Sequence, residues 1–279
     1  VSIFTSNSYN ANDTFCMCAA IAINKENQSK LYVIQHGGHF GTGRFNSSEN
    51  HQRKISYKYL TWGWEEDCKT IPLGIIKPLK RYNFNSFKSK EVLLICMELN
   101  RYSYVSYSGP QGPQWLVYQN KLEDLASEIA ATGFDLTIRT KPLVESWNAI
   151  NRWKAKKFKI DNERSFFDSC RDSKIVISTY NAATFLETIF IGIPTLIFWD
   201  EIMWDMRPQS KEIFNELKEV KVFHNSEDGI LKTLKSAKSM GYMNWWNDFE
   251  RQKVLKRFKK KYCRENYDFL KTFSRLKHI

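Results

Sequence analysis

The stretch KIVISTYNAATFLETIFIGIPTLIFW, from Lys174 to Trp199, restricts the fold more than any other part of the chain. Ile175-Val176-Ile177 is short, β-branched and without alternation, the pattern of a parallel strand covered on both faces. Thr184 to Ile191 carries Phe185, Ile189 and Phe190 at helical spacing, and Gly192-Ile193-Pro194 then stops the helix. Thr195 to Trp199 is apolar again, so the segment reads as strand, polar turn, helix, strand. A polar turn that ends such a strand and opens a helix is where α/β proteins hold phosphates.

The same alternation extends on both sides. EVLLICMEL (91–99) predicts a strand, WLVYQNKLEDLASEIAATG (115–133) a helix closed by Gly133, and FDLTIRTKP (134–142) the next strand. ERSFFDSCRDS (163–173), SKEIFNELKEV (210–220) and SEDGILKTLKSAKS (226–239) predict helices, with KVFHN (221–225) a short strand between the last two. Strands alternating with helices from 91 to about 240 imply a parallel, Rossmann-like sheet. Upstream, LYVIQ (31–35) is a strand running into the Gly-rich HGGHFGTGRF, and KISYKYLTWGW (54–64) alternates weakly. IPLGIIKP reads as a connector, and NFNSFKSK (83–90) as a linker. The expected division is 1–83, the end of one domain with its connector; 84–250, a ligand-binding domain; and 251–279, a basic amphipathic helix.

Composition bears on what such a chain binds. At 42% apolar and 15% aromatic, with nine Trp, the 279 residues can bury a sizeable core. The net charge of +12 is concentrated in 251–279, where eleven Lys and Arg face only Glu265 and Asp268. That distribution argues against a nucleic-acid-binding face spread over the protein. Leu255, Phe258, Tyr262, Phe269, Phe273 and Leu276 recur every three or four residues in the same tail. The tail therefore packs on the body by its aromatic stripe, or lies on an anionic membrane surface. Six scattered cysteines, with only Cys16 and Cys18 close together, suit reduced thiols in a cytoplasmic protein. No apolar run approaches 18 residues, and the start at Val1 suggests a piece of a longer protein.

Candidate site residues cluster at loops. Ser178, Thr179, Asn181 and Thr184 offer polar side chains beside free N–H groups at a helix start, suited to phosphate or to capping. Glu187 can grip the vicinal hydroxyls of a ribose or compensate the helix dipole. Arg101, Arg139 and the pair Lys141-Pro142 stand at the ends of two other strands, on the edge where doubly wound sheets bind ligands. In QHGGHFGTGRF, which is neither GxGxxG nor a P-loop, Gly37 and Gly38 let the backbone approach a ligand. His36 beside them can act as a general base. No Cys or carboxylate spacing supports a metal site with His36, His39 and His51.

The pair VIQHGGHFGTGRFNSSENHQRKISYKYLTWGW and IVISTYNAATFLETIFIGIPTLIFW resembles a family of bacterial surface-polysaccharide transferases with a GT-B glycosyltransferase fold. The arrangement is more distantly similar to CMP-dependent sialyl- and ulosonyl-transferases and to CDP-glycerol glycerophosphotransferases. His36-Gly37 matches their His-Gly segment and Ser178-Thr179 their phosphate-holding turn, but Lys141-Pro142 stands where they have His-Pro. The resemblance implies an α/β, GT-B-like chain: a Rossmann-type donor domain plus part of an N-terminal Rossmann-like acceptor domain. It implies sugar transfer from a nucleotide-activated donor, of CMP-ulosonic acid or UDP-sugar type, to a surface glycan such as lipopolysaccharide or capsule. His36 would be catalytic, with the donor held by Gly37, Gly38, Arg101, Arg139, Lys141, Pro142, Ser178, Thr179, Asn181, Thr184 and Glu187. No cofactor or metal is expected, since the nucleotide sugar is a substrate. The expected partners are that donor and a glycan or lipid-linked acceptor, at a cytoplasmic or inner-membrane-face location. A sugar-nucleotide epimerase of the same fold and a non-catalytic nucleotide-sugar-binding fragment are the alternatives.

Overall fold

A computed structural model describes residues 1–26, 29–77, 79, 90–102, 106–140, 146–266 and 274. Two parallel sheets organise them. The first is built from β1 (Ser2–Thr5), β2 (Lys30–Ile34), β3 (Lys58–Thr61) and β4 (Thr70–Pro72), hydrogen-bonded in that order. Helices α1 (Ser8–Ala11), α2 (Asp13–Glu26) and α3 (Ser47–Ile55) connect them. Tyr32, Val33, Tyr59 and Leu60 are fully buried, because the crossover connections that parallel strands require cover both faces.

The second sheet has the order β10-β9-β8-β5-β6-β7, all parallel. Its strands are β5 (Lys90–Cys96), β6 (Leu136–Thr140), β7 (Lys159–Ile160), β8 (Ser173–Ser178), β9 (Thr195–Phe198) and β10 (Phe223–His224). The helices between them are α4 (Gln114–Ala131), α5 (Ala149–Ala155), α6 (Phe166–Arg171), α7 (Ala183–Ile191) and α8 (Pro208–Glu219). After β10 come α9 (Glu227–Met240), α10 (Tyr242–Trp246) and α11 (Phe249–Tyr262). From β5 the chain steps outward to β6 and β7, then returns to β8 on the other side. The crevice between the carboxyl ends of β5 and β8 is therefore the topological switch point, where open α/β sheets bind ligands. Leu93, at the sheet centre, is paired with Thr137 on one side and Val176 on the other.

Aromatic packing locks α7 to its surroundings. Phe185 lies edge-on to Trp199 at 5.4 Å and near Phe214 and Phe258 at 6.2 Å, all buried. Burying one such ring stabilises the fold by about 1.5–3 kcal/mol, so this cluster fixes α7 firmly against α8 and α11.

Several expectations are revised. Lys90 opens β5 rather than closing a linker, and the rest of that linker, with the 83/84 boundary, lies outside the described residues. The connector IPLGIIKP contributes Ile71 and Pro72 to β4. In the tail, α11 runs from Phe249 to Tyr262, and residues 267–273 and 275–279 of the expected span lie outside the described residues. Its Leu255, Phe258 and Tyr262 are buried against the body, so that part of the apolar stripe does not face a membrane. Beyond it, Arg264 accepts Ile75 N–H at 2.9 Å and donates its own to Trp62 at 2.7 Å, tying the tail to the first sheet. No described helix is long and apolar enough to cross a membrane. All six cysteines are free.

Candidate functional site

Two loops meet at the switch edge: the Gly-rich segment after β2 and the turn after β8. The first is held by a dense set of bonds. The Glu49 carboxylate accepts from Gly41 N–H at 3.0 Å and from Arg207 at 2.6 Å, and Arg207 donates through Nε to the Gly43 carbonyl at 3.0 Å. Arg207 also reaches Glu66 at 2.7 Å, and its backbone N–H donates to Thr42. Asn46 caps α3 by accepting from Glu49 N–H and bonds the imidazole of His39. Gly41 has φ +80°, and a Cβ there would sit 2.3 Å from the Trp64 indole, so only glycine fits. The loop is a rigid frame.

The second loop is left open. The N-cap of α7 is Ala182, with no side-chain cap and no acidic residue in the first turn. A helix start so left offers oriented N–H groups and a partial positive charge of about half an electron. Gly38 is pressed against it, since a Cβ on Gly38 would lie 2.2 Å from the Ala182–Ala183 peptide. Thr42 donates across the seam to Asn181 Oδ1 at 2.9 Å, while Asn181 Nδ2 is closed to solvent and has no partner. His36 stands beside this start, its ring edge-on to Phe40 at 5.1 Å and bonded to the Ser6 backbone, with Nδ1 unpartnered. Burial, and then the charge of Lys77, lower its pKa below the usual 6.5, which keeps it neutral at pH 7. Burial likewise brings His39 to about 4.

The predicted site residues separate into three groups. His36, Gly37, Gly38, Asn181 and Thr184 are brought together at the start of α7, as is Glu187 one turn on. Glu187 is buried and ion-paired with Lys77, whose ammonium also lies 5.5 Å from the Trp62 ring. Burial raises the Glu187 pKa and Lys77 opposes that. Ser178 and Thr179 are at the right place but turned inward. Ser178 Oγ bonds Thr184 Oγ1 at 2.9 Å, and Thr179 donates to the Ile95 carbonyl at 2.8 Å and meets the Tyr118 hydroxyl. Both are fully buried, so these hydroxyls brace the turn and neither is free for phosphate. They are not helix caps either.

The third group is elsewhere. Arg139 turns toward β7, donating to the carbonyls of Asp161 and Arg164 at 2.7 and 2.9 Å and to Ser169 Oγ at 2.9 Å. With those donors engaged it is a structural clamp, not a donor contact. Arg101 is exposed on the loop after β5, its guanidinium 5.4 Å over the Trp147 ring. Lys141 and Pro142 lie outside the described residues.

Sequence reasoning missed Lys77, Thr42, Glu49 and Arg207. Lys77 stood in what read as a connector, and Arg207 in the loose stretch after Trp199. Glu49 had one legible signal, the Asn-x-x-Glu spacing of a capped helix start from Asn46.

No protein of curated function matches the sequence. In structure the chain is similar to TarM, at 12% identity and a TM-score of 0.51, over 89% of this chain and 50% of TarM. It is similar also to an S. aureus TarM variant in complex with fondaparinux, α-GlcNAc-glycerol and UDP, at 11% identity and a TM-score of 0.53, covering 92% and 53% of the two chains. A Listeria monocytogenes protein described as a UDP-N-acetylglucosamine 2-epimerase aligns at 11% identity and a TM-score of 0.52, covering 93% and 72%. The chain thus spans about half the length of TarM. The architecture is that of the GT-B glycosyltransferases. Over residues 1–276 the sequence matches the LIC12162 family transferases, and the chain belongs to that family.

Proposed function

We propose that the protein transfers a sugar from a nucleotide-activated donor to a glycan acceptor, with the donor phosphate at the start of α7. The observation that carries this is the uncapped α7 terminus at the switch edge, beside the unpartnered Asn181 Nδ2 and a neutral His36. In this reading an acceptor hydroxyl attacks the anomeric carbon and its proton passes to His36 Nδ1. The bond from that carbon to the phosphate oxygen breaks, and the leaving phosphate keeps the electron pair. The α7 N–H groups and Lys77 stabilise the charge it gains, so no metal is required. Lys77 would leave Glu187 for the phosphate, freeing that carboxylate for the ribose hydroxyls. The UDP in the TarM complex is in keeping with a nucleotide donor. CMP-ulosonic acids and UDP-sugars are the donor classes to test, with bacterial surface glycans as acceptors.

In the intact enzyme, His36→Ala should bind donor like wild type while turnover drops about 10²–10⁴-fold. His39→Ala serves as the control for loop integrity, since His39 anchors the loop through Asn46. Equal losses of turnover in the two variants would remove His36 from the chemistry.

A further inference from the structure

The spacing of α4 puts Trp115, Tyr118, Gln119 and Leu122 on its buried face. Gln119 is the anomaly among them. It is 1% exposed, and neither its amide nitrogen nor its amide oxygen has a hydrogen-bond partner. A carboxamide buried without partners is costly, and a protein retains one where something else supplies the bonds. Gln119 lines a cavity of about 410 Å³ together with Trp115, Leu116, Trp147, Ala149 and Arg152. The walls are otherwise apolar or engaged, because Arg152 is ion-paired with Glu123 and donates to Asn120 at 2.8 Å. Trp147 is half-exposed and carries the Arg101 guanidinium over its ring.

We propose that this cavity holds the base of the donor nucleotide, stacked on Trp147 with its polar edge read by Gln119. This rests on the reading of the chain as a nucleotide-sugar transferase. A planar ring whose edge sets a hydrogen-bond donor beside an acceptor matches the free carboxamide of Gln119 in this cavity. By turning over, that group serves uracil (N3–H and O4) and cytosine (N3 and the 4-amino group) alike. A hexose in the same place would leave most of its hydroxyls unpaired. The position fits too. The cavity opens where α4 leaves the β5 loop and α5 the β6 loop, on the same edge as the α7 start after β8. β8, β5 and β6 are adjacent, so the strand ends that lead to the two places are about 10 Å apart, at roughly 4.8 Å per strand.

The test is calorimetric titration of wild type, Gln119→Leu and Trp147→Ala with UDP, CDP, uridine, cytidine and inorganic pyrophosphate. Gln119→Leu replaces an unsatisfied group with an apolar one of similar size, and Trp147 is at the surface, so both variants should keep their melting temperature. UDP or CDP affinity should fall at least tenfold in each variant, with pyrophosphate affinity unchanged. Uridine or cytidine should bind wild type weakly and Gln119→Leu not at all. Nucleoside binding of this kind without pyrophosphate binding would sustain the base site while removing the phosphate from α7. Unchanged nucleotide affinity in Gln119→Leu, or pyrophosphate binding that falls in step, would overturn the assignment. So would wild-type binding of pyrophosphate but of neither nucleoside.

Discussion

Helices α7 and α9 follow strands of one sheet, and their first turns are built in opposite ways. At α9, Ser226 accepts from the Gly229 N–H at 3.3 Å, and Glu227 and Asp228 stand in the first turn against the dipole. At α7 the corresponding positions are Ala182, Ala183 and Thr184, with neither cap nor acid, and α4 likewise begins without a side-chain cap. A good cap is worth about 1 kcal/mol. Uncapped starts occur also at α1, α5, α8 and α10, so what sets α4 and α7 apart is their place after β5 and β8, the two sides of the switch point. At α7 that local stability is forgone where, in the proposed reading, a ligand would complete the structure. The Gly-rich loop is the counterpart of α9 across the seam: apart from His36 Nδ1, its main polar groups are engaged through Glu49, Arg207 and Asn46, and it faces the bare end of α7 as a fixed frame.

The contrast is broken most severely by removing the frame. Arg207→Ala strands the buried carboxylate of Glu49 and frees the carbonyl of Gly43, while the backbone bond to Thr42 remains. Loss of one partner of a buried pair costs about 3–5 kcal/mol. Urea unfolding should show that loss, with nucleotide binding lost through disorder of the seam. A midpoint unchanged in Arg207→Ala would mean the loop stands without the network.

Gly38→Ala should cost less stability and be more selective. The added methyl meets backbone, which cannot rotate away, so the seam must open at a cost of about 1–3 kcal/mol. Gly37→Ala meets only the Phe40 ring at 3.8 Å, an ordinary contact, and should behave as wild type in both melting and nucleotide titration. Similar behaviour of the two alanine variants would show that the approach of loop to helix is not as close as described.

How much of this was readable beforehand follows from the range of the interactions. β5, β8 and β9 were legible because strands covered on both faces are written as apolar runs, and β6 because its β-branched residues follow the Gly133 stop. α4, α8 and α9 were legible from their period and stops. The place of the site was legible for the same reason, since a polar turn after β8 is a local signal. Which polar groups there are free was not. Ser178 and Thr179 looked available, but their partners are Thr184, Ile95 and Tyr118, on α7, β5 and α4. Arg207 and Glu49 are 158 residues apart, and no periodicity links them. Gln119 did carry a signal, a polar residue on the apolar face of α4 between Tyr118 and Leu122. The short helices α5 and α10 have too few turns to show a period.

Acid should distinguish the frame from the open turn. His39 titrates at about 4 in the folded protein, against about 6.5 unfolded. The unfolded chain therefore binds the extra proton first as pH falls below 6.5. The stability this contributes is fully present above that value and is lost down to about 4. Burial is the main cause, and the charges of His36 and Arg207 that face the ring contribute to the same shift. Allowing for partial exposure, the loss is on the order of 2 kcal/mol. Thermal melts of His39→Gln from pH 7 to pH 4 should show a shallower decline than wild type. Parallel curves would mean the imidazole is not held neutral.

The smallest expected change in stability is also the sharpest test of the contrast. Ala182 has the extended backbone of an N-cap, φ −150° and ψ −165°, but lacks the side chain. Ala182→Ser should supply a hydroxyl to the N–H groups of the first turn and stabilise by about 0.5–1 kcal/mol, and Ala182→Asp by a similar amount, converting α7 to the design of α9. If the bare end exists for an anion, the stabilised variants must bind nucleotide and pyrophosphate less well. The aspartate should be worse than the serine, because it adds a negative charge as well as occupying the donors. Stability and affinity then move in opposite directions, which a merely damaged site cannot produce. Variants that melt higher and bind pyrophosphate as wild type does would leave the start of α7 as an ordinary uncapped helix.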